Sequence, residues 1–166
     1  MQSLFSDPDY LLHLATQYLE SNQLVECIAI LEKIVALYPM YGPAYNHLGW
    51  IAMSFFHQLE QAKIYYQKAI ECSPNYPVTY VNYAKTLNFL EEYQLLAEVI
   101  EQAIRLPPVD KAKIYEEAGK MYEKQHKLKD AIAAYQQAIQ QSLDITEVED
   151  LLNHLERCRL KLDALA

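Results

Sequence analysis

The sequence holds few glycines, three in 166 residues, with one tryptophan and three cysteines. So little glycine, beside seven prolines and an apolar fraction of 52%, excludes a flexible or low-complexity chain. Cys27, Cys72 and Cys158 are odd in number, far apart and set within helical patterns. They make neither a disulfide framework nor a paired-cysteine zinc site, and buried or half-buried reduced thiols of a cytoplasmic protein are expected. No apolar run approaches the roughly 20 residues of a membrane-spanning helix, so no membrane insertion is expected. Residues 1–7 carry neither a basic cluster nor the apolar core of a secretion signal.

Positive charge is also scarce, 14 basic against 22 acidic residues for a net charge of −8. Nucleic acid is therefore not an expected partner, because phosphate binding requires a basic stripe. The densest run of lysines, Lys120, Lys124, Lys127 and Lys129, is interleaved with Glu116, Glu117, Glu123 and Asp130. It reads as a solvated helix face with i,i+4 pairs such as Glu116 with Lys120. Catalytic signals are missing: no glycine-rich phosphate loop and no nucleophile elbow. His13, His47, His57, His126 and His154 are scattered, no two at ligand spacing. No enzymatic activity, cofactor or metal is expected.

What is present is a repeat. Tyr45, Tyr80 and Tyr115 recur every 35 residues, with Leu11 34 before the first, and Ala15, Gly49, Ala84 and Gly119 follow four residues later, always small. Further on, Leu31, Tyr66, Ile100 and Tyr135 recur, preceded by Cys27, Ala62, Leu96 and Ala131 and followed by Ile34, Ala69, Ala103 and Ala138. Pro39, Pro74 and Pro108 close three units. Small and large residues at helical spacing make each unit two short helices folded on each other, and one such pair cannot bury its face alone. No alternating run of the kind a strand needs is found, and the fold class is all-α.

Helix starts are expected at Asp7-Pro8, Gly42-Pro43, Tyr76-Pro77 and Asp110, and tight turns around Asn22, His57, Glu91 and His126. Segments 55–58 and 109–111 each hold one extra residue, which gives the step of 35. After Gln141 the pattern changes. Thr146 with Glu149 forms a capping box, and Val148, Leu151, Leu152, Leu155, Cys158, Leu162 and Leu165 make one apolar stripe over 146–165. That helix either caps the last repeat or is offered to a partner or a second copy.

Over residues 8–143 the pattern resembles the tetratricopeptide repeat family. Tyr45, Leu48-Gly49, Ala62, Tyr66, Ala69 and Pro74 reproduce that family's motif, and Tyr115, Gly119, Tyr122, Ala131, Tyr135 and Ala138 do so again. Cys27, Ile34, Leu96 and Leu143 depart from it without threatening the fold. The resemblance implies one domain, a right-handed superhelical solenoid of four repeats (8–41, 42–76, 77–110, 111–144) with a capping helix. It places Tyr18, Tyr45, Tyr66, Tyr80, Tyr83, Tyr115, Tyr122 and Tyr135 at packing positions, half-buried.

The resemblance further implies a non-enzymatic scaffold or adaptor that binds a peptide or helix of another protein in a concave groove lined by the first helices. By register those groove positions are Leu12, Thr16 and Leu19, then Asn46, Trp50 and Met53. Repeat 3 gives Val81, Asn82, Lys85, Asn88 and Phe89, and repeat 4 gives Lys113, Glu116, Lys120 and Glu123. Trp50 has two readings, a binding surface with Met53 and Phe89, or packing inward near Phe55 and Phe56. Asn46, Asn82 and Asn88 are candidates to bond a peptide backbone.

One variant of the family grips a terminal carboxylate with lysines, arginines and asparagines. Here Asn82 and Lys113 match it, but Asn46, Trp50 and Glu117 stand where a lysine, an asparagine and a basic residue are needed, so no such clamp is expected. The expected ligand is anchored by apolar side chains, with a basic flank toward Glu116, Glu117 and Glu123. The alternative is a structural module in which the groove or capping helix mediates homo-oligomerisation.

Overall fold

The computed structural model describes residues 7–165. Residues 1–6, on which the expectation about a secretion signal rests, lie outside them. Among the described residues nine helices follow one another with no strand: α1 (Pro8–Glu20), α2 (Leu24–Leu37), α3 (Gly42–Ser54), α4 (Leu59–Cys72), α5 (Pro77–Leu90), α6 (Tyr93–Ile104), α7 (Lys111–Lys124), α8 (Leu128–Gln141) and α9 (Ile145–Asp163). The all-α class read from the repeats is the observed one. The chain divides into two compact units, with the boundary inside α5 between Asn82 and Tyr83.

The starts follow from side chains that satisfy orphan N–H groups. Asp7 Oδ1 accepts the N–H of Asp9 at 2.9 Å and of Tyr10 at 3.2 Å, with Pro8 at the first helical position. Asp110 accepts the N–H of Lys113 at 3.2 Å. At α9 the cap differs from the expected Thr146 box. Asp144 Oδ1 accepts the N–H of Thr146 at 2.8 Å and of Glu147 at 3.3 Å, and takes the Thr146 hydroxyl at 2.6 Å. A carboxylate at a helix N-terminus outcompetes a hydroxyl, so the helix begins before Thr146 and draws that hydroxyl into its own cap.

The four turns share one conformation. Asn22, His57, Glu91 and His126 have φ of 58°, 54°, 60° and 58°, left-handed values in residues that are not glycine. In three repeats the turn closes over five residues, Gln23 N–H to Tyr18 C=O at 2.8 Å, Glu92 to Leu87 at 3.1 Å and Lys127 to Tyr122 at 2.9 Å. In repeat 2 the bond runs over six, from Gln58 to Ala52 at 2.9 Å. The extra residue of segment 55–58 is thus absorbed in the turn, leaving both helices in register.

The helix pairs interlock by trading volume. A methyl on Gly49 would come within 2.8 Å of the Tyr66 ring, and one on Gly119 within 2.5 Å of the Tyr135 ring, and neither ring has any exposure. At the same register repeats 1 and 3 pair Ala15 with Leu31 and Ala84 with Ile100, a larger small residue facing a smaller large one. Tyr45 and Tyr80 repeat a second contact, each donating its hydroxyl to the carbonyl six residues earlier, Pro39 at 3.2 Å and Pro74 at 2.9 Å.

The first unit buries Leu11, Ala15, Cys27, Leu31, Ile34, Ala44, Leu48 and Ile51 as one cluster. In the second, Leu128, Ala131, Tyr135 and Ala138 of α8 pack on Leu151, Leu155 and Cys158 of α9. Each leucine so buried is worth about 1.5–3 kcal/mol, which is what docks α9 on the last repeat. Its stripe is narrower than the sequence reading. Val148 and Leu162 are half-buried, while Leu152 lies about 100° round the helix from Leu151 and Leu165 lies past the helix end, and both are exposed. Cys27 and Cys158 are buried free thiols and Cys72 is a half-buried one.

Candidate functional site

In the first unit the candidate residues satisfy one another. Thr16 Oγ1 donates to the carbonyl of Leu12 at 3.0 Å, within its own helix. Leu12, Leu19 and Trp50 are half-buried against the apolar cluster, and Trp50 sets its ring edge to face with Phe55 at 5.5 Å and 76°. Met53 is 8% exposed and buried, and Val81 is half-buried. Asn46, 3% exposed, accepts a hydrogen bond from Asn82 Nδ2 at 3.2 Å. These two asparagines bond each other, which takes up groups that the sequence reading offered to a peptide backbone.

In the second unit α5, α7 and α9 wall a cavity of about 500 Å³. Its lining includes Lys85, Asn88, Phe89 and Lys120 among the residues expected in the groove, together with Glu123. Lys113 stands apart, exposed, with its ammonium 3.4 Å from Asp110. Glu116 is half-buried and paired at 2.7 Å with Lys120, the i,i+4 pair read from the sequence.

The rest of the charge pattern corrects the reading of a solvated face at Glu117, Lys120 and Glu123, while Lys124, Lys127, Lys129 and Asp130 are exposed as read. Glu117 is 5% exposed, paired with Lys120 at 2.9 Å and receiving Asn88 Nδ2 on its carboxylate at 2.6 Å and on its carbonyl at 2.8 Å. Burial pushes the Lys120 ammonium down, and Glu117 and Glu116 beside it more than reverse that, so its pKa is raised. Lys124 donates to the Asn88 carbonyl at 2.6 Å and lies 3.6 Å from Glu91. Asn88, 4% exposed, has a buried Oδ1 with no partner among the described residues.

Glu123 is the hub. Arg157 reaches it from α9 with Nε at 2.8 Å and Nη2 at 2.6 Å, Lys161 adds a bond at 2.7 Å, and the Tyr135 hydroxyl donates at 3.2 Å. The Arg157 bonds outweigh burial and hold this carboxyl at about 2. Tyr135 is pushed up by its burial and by Glu123. His154 stacks on the Tyr135 ring at 5.2 Å and accepts from Arg157 on Nδ1 at 2.6 Å. Burial and then Arg157 lower its pKa, so it stays neutral. Glutamates that promised a basic flank on a ligand are therefore already neutralised by the chain itself. Sequence reasoning missed Arg157, Lys161 and His154 because they lie on the helix outside the repeat, and an Arg-x-x-x-Lys spacing on α9 was the one signal available.

Among the described residues no three His, Cys, Asp or Glu side chains come together to hold a metal ion, and no helix is long and apolar enough to cross a membrane.

Family models of the tetratricopeptide repeat match at residues 9–39, 42–76 and 65–97. No curated protein matches the sequence significantly. Solved structures share the fold. MamA is 23% identical with a TM-score of 0.70, over 82% of this chain and 78% of that one. YrrB, described as having an unusual peptide-binding site, is 15% identical with a TM-score of 0.75 over 98% and 81%. The first repeat domain of Spaghetti (RPAP3), solved with the HSP90 peptide SRMEEVD, is 19% identical with a TM-score of 0.65 over 74% and 94%.

Proposed function

Since the chain belongs to the tetratricopeptide repeat family, we propose that it is a non-enzymatic interaction module that holds a segment of another protein on the face lined by its first helices. The observation that carries this is the cavity of about 500 Å³ between α5, α7 and α9, a recess that the packing register does not fill. Two proteins of similar fold point the same way, YrrB with its peptide-binding site and the RPAP3 domain with its peptide. The buried free thiols favour a reducing compartment such as the cytoplasm.

The test is selection of peptides from a displayed random library on the purified protein, followed by mapping of the bound face by amide chemical shifts. Enriched peptides should perturb α5, α7 and α9 and leave the exposed side of α8 unchanged. Enrichment of nothing, with a solution mass that rises with concentration, would replace this reading by self-assembly through the exposed Leu152 and Leu160 of α9.

A further inference from the structure

The cavity of the second unit does not share the charge of the chain around it. The whole sequence carries a net charge of −8, yet the cavity wall holds five lysines and arginines against two glutamates. Pairing answers part of the excess. Lys120 is shared by Glu117 and Glu116, and Glu123 by two cations, Arg157 and Lys161. Lys85 is exposed with no ion pair or hydrogen bond among the described residues, and Lys124 bonds a neutral carbonyl at 2.6 Å and keeps only a long, exposed pair with Glu91 at 3.6 Å. Beside them Phe89 is 57% exposed, a large ring at the edge of a cationic recess. In the wall, Asn88 Oδ1 is buried and lacks a donor, which a peptide N–H would supply.

We propose that this cavity takes an acidic peptide segment of a partner protein, with carboxylates on Lys85 and Lys124 and an adjacent apolar side chain on Phe89. Charge complementarity selects that occupant, since a basic or neutral segment would leave Lys85 unanswered and Lys124 with only its long pair to Glu91. The positions are not those of the carboxylate-gripping variant weighed from the sequence, which fall at Asn46, Trp50, Asn82, Lys113 and Glu117. The inference rests on the interaction-module reading and gives it a ligand chemistry. It reverses the sequence expectation of a basic flank, because the glutamates that expectation relied on are bonded to Asn88, Lys120, Arg157 and Lys161.

The test uses two fluorescein-labelled peptides, one alternating leucine with glutamate and its twin with glutamine in place of every glutamate, titrated with the full chain by anisotropy. The acidic peptide should bind at least about tenfold tighter than its twin, and the advantage should shrink as salt rises from about 0.05 to about 0.5 M. Lys85→Glu combined with Lys124→Gln should abolish the advantage, Phe89→Ala should weaken both peptides alike, and Lys129→Glu, exposed on α8 and outside the cavity, should change neither. Lys85→Glu alone touches no partner, so it keeps the result readable should the double variant unfold. Equal binding of the two peptides, or an advantage that survives Lys85→Glu, overturns the acidic ligand while leaving the interaction-module reading to stand on the library selection. Binding of neither peptide by a protein that still captures library peptides does the same.

Discussion

The two units use one packing register and spend the residues left over from it in opposite ways. In the first, the leftover polar groups cancel each other: Asn82 bonds Asn46, Thr16 bonds its own helix, and Trp50 turns its ring edge to Phe55. In the second, charged side chains meet across helices and leave a recess between them. The difference originates in α9, which brings Arg157 and Lys161 to Glu123 although it carries none of the repeat's motif residues. Register dictates the interlock of small and large residues, and the surface is free to diverge around it.

The comparison breaks most severely at the two interlocked tyrosines. Tyr66→Ala and Tyr135→Ala should each cost about 3–5 kcal/mol in urea denaturation, as fully buried aromatics do. Tyr135→Ala should lie at the upper end, since it also frees Glu123 and unstacks His154. A loss below about 1 kcal/mol at either would show that the register is wrong. Next are the glycines that face them. Gly119→Ala should cost about 1–3 kcal/mol and Gly49→Ala less, because the added methyl would meet its ring at 2.5 Å in one case and 2.8 Å in the other. Adding Tyr135→Leu to Gly119→Ala recreates the Ala15 and Leu31 combination, and a double-mutant cycle should show the pair costing less than the sum.

Acid sharpens the contrast further. Glu123 has its pKa depressed from 4.5 to about 2, so its contribution is complete above about 4.5 and fades as pH falls toward about 2. His154, lowered from 6.5, acts in the same sense, because the unfolded chain takes up its proton first. Protection of α9 amides in hydrogen exchange should therefore fall with acid ahead of α1 and α2. Glu123→Gln should cost about 1 kcal/mol at neutral pH, a modest figure because Arg157 and Lys161 are half exposed, and should flatten the acid limb. An unchanged acid limb would remove Glu123 as its cause. The smallest effect is a gain. Glu91→Gly relieves a left-handed residue at some loss of chain entropy, and a net stabilisation of about 0.5–1 kcal/mol should appear as a raised urea midpoint.

Much of this was legible in the chain, for reasons that can be named. Asp7, Pro8, Pro43, Pro77 and Asp110 act through local backbone geometry, so their reading needs nothing beyond a few neighbours. Periodicity places the turns at Asn22, His57, Glu91 and His126 but not their left-handed backbone, since no glycine marks any of them and Glu91 is not a residue that favours it. The cap at Asp144 was misplaced because Asp144 and Thr146 compete two residues apart, and charge decides between them. The lysines and glutamates of α7 read as a solvated face because i,i+4 spacing is visible in sequence, whereas Arg157 lies 34 residues from its partner Glu123. Asn46 and Asn82 read as free for the same reason, being 36 residues apart.

The salt bridges of Glu123 also set a limit on modularity. Repeats of this kind invite exchange, since a unit that matches its neighbours' register can in principle be spliced in or out. An engineer lengthening the array after α8 would dock a new first helix where α9 now sits, on Leu128, Ala131, Tyr135 and Ala138. Apolar complementarity alone would not complete the graft. The incoming helix would have to carry two cations at the places of Arg157 and Lys161, or Glu123 would have to become neutral, because a carboxylate 10% exposed and stripped of its partners opposes the joint. The fourth unit is thus interchangeable with the others in shape and not in charge.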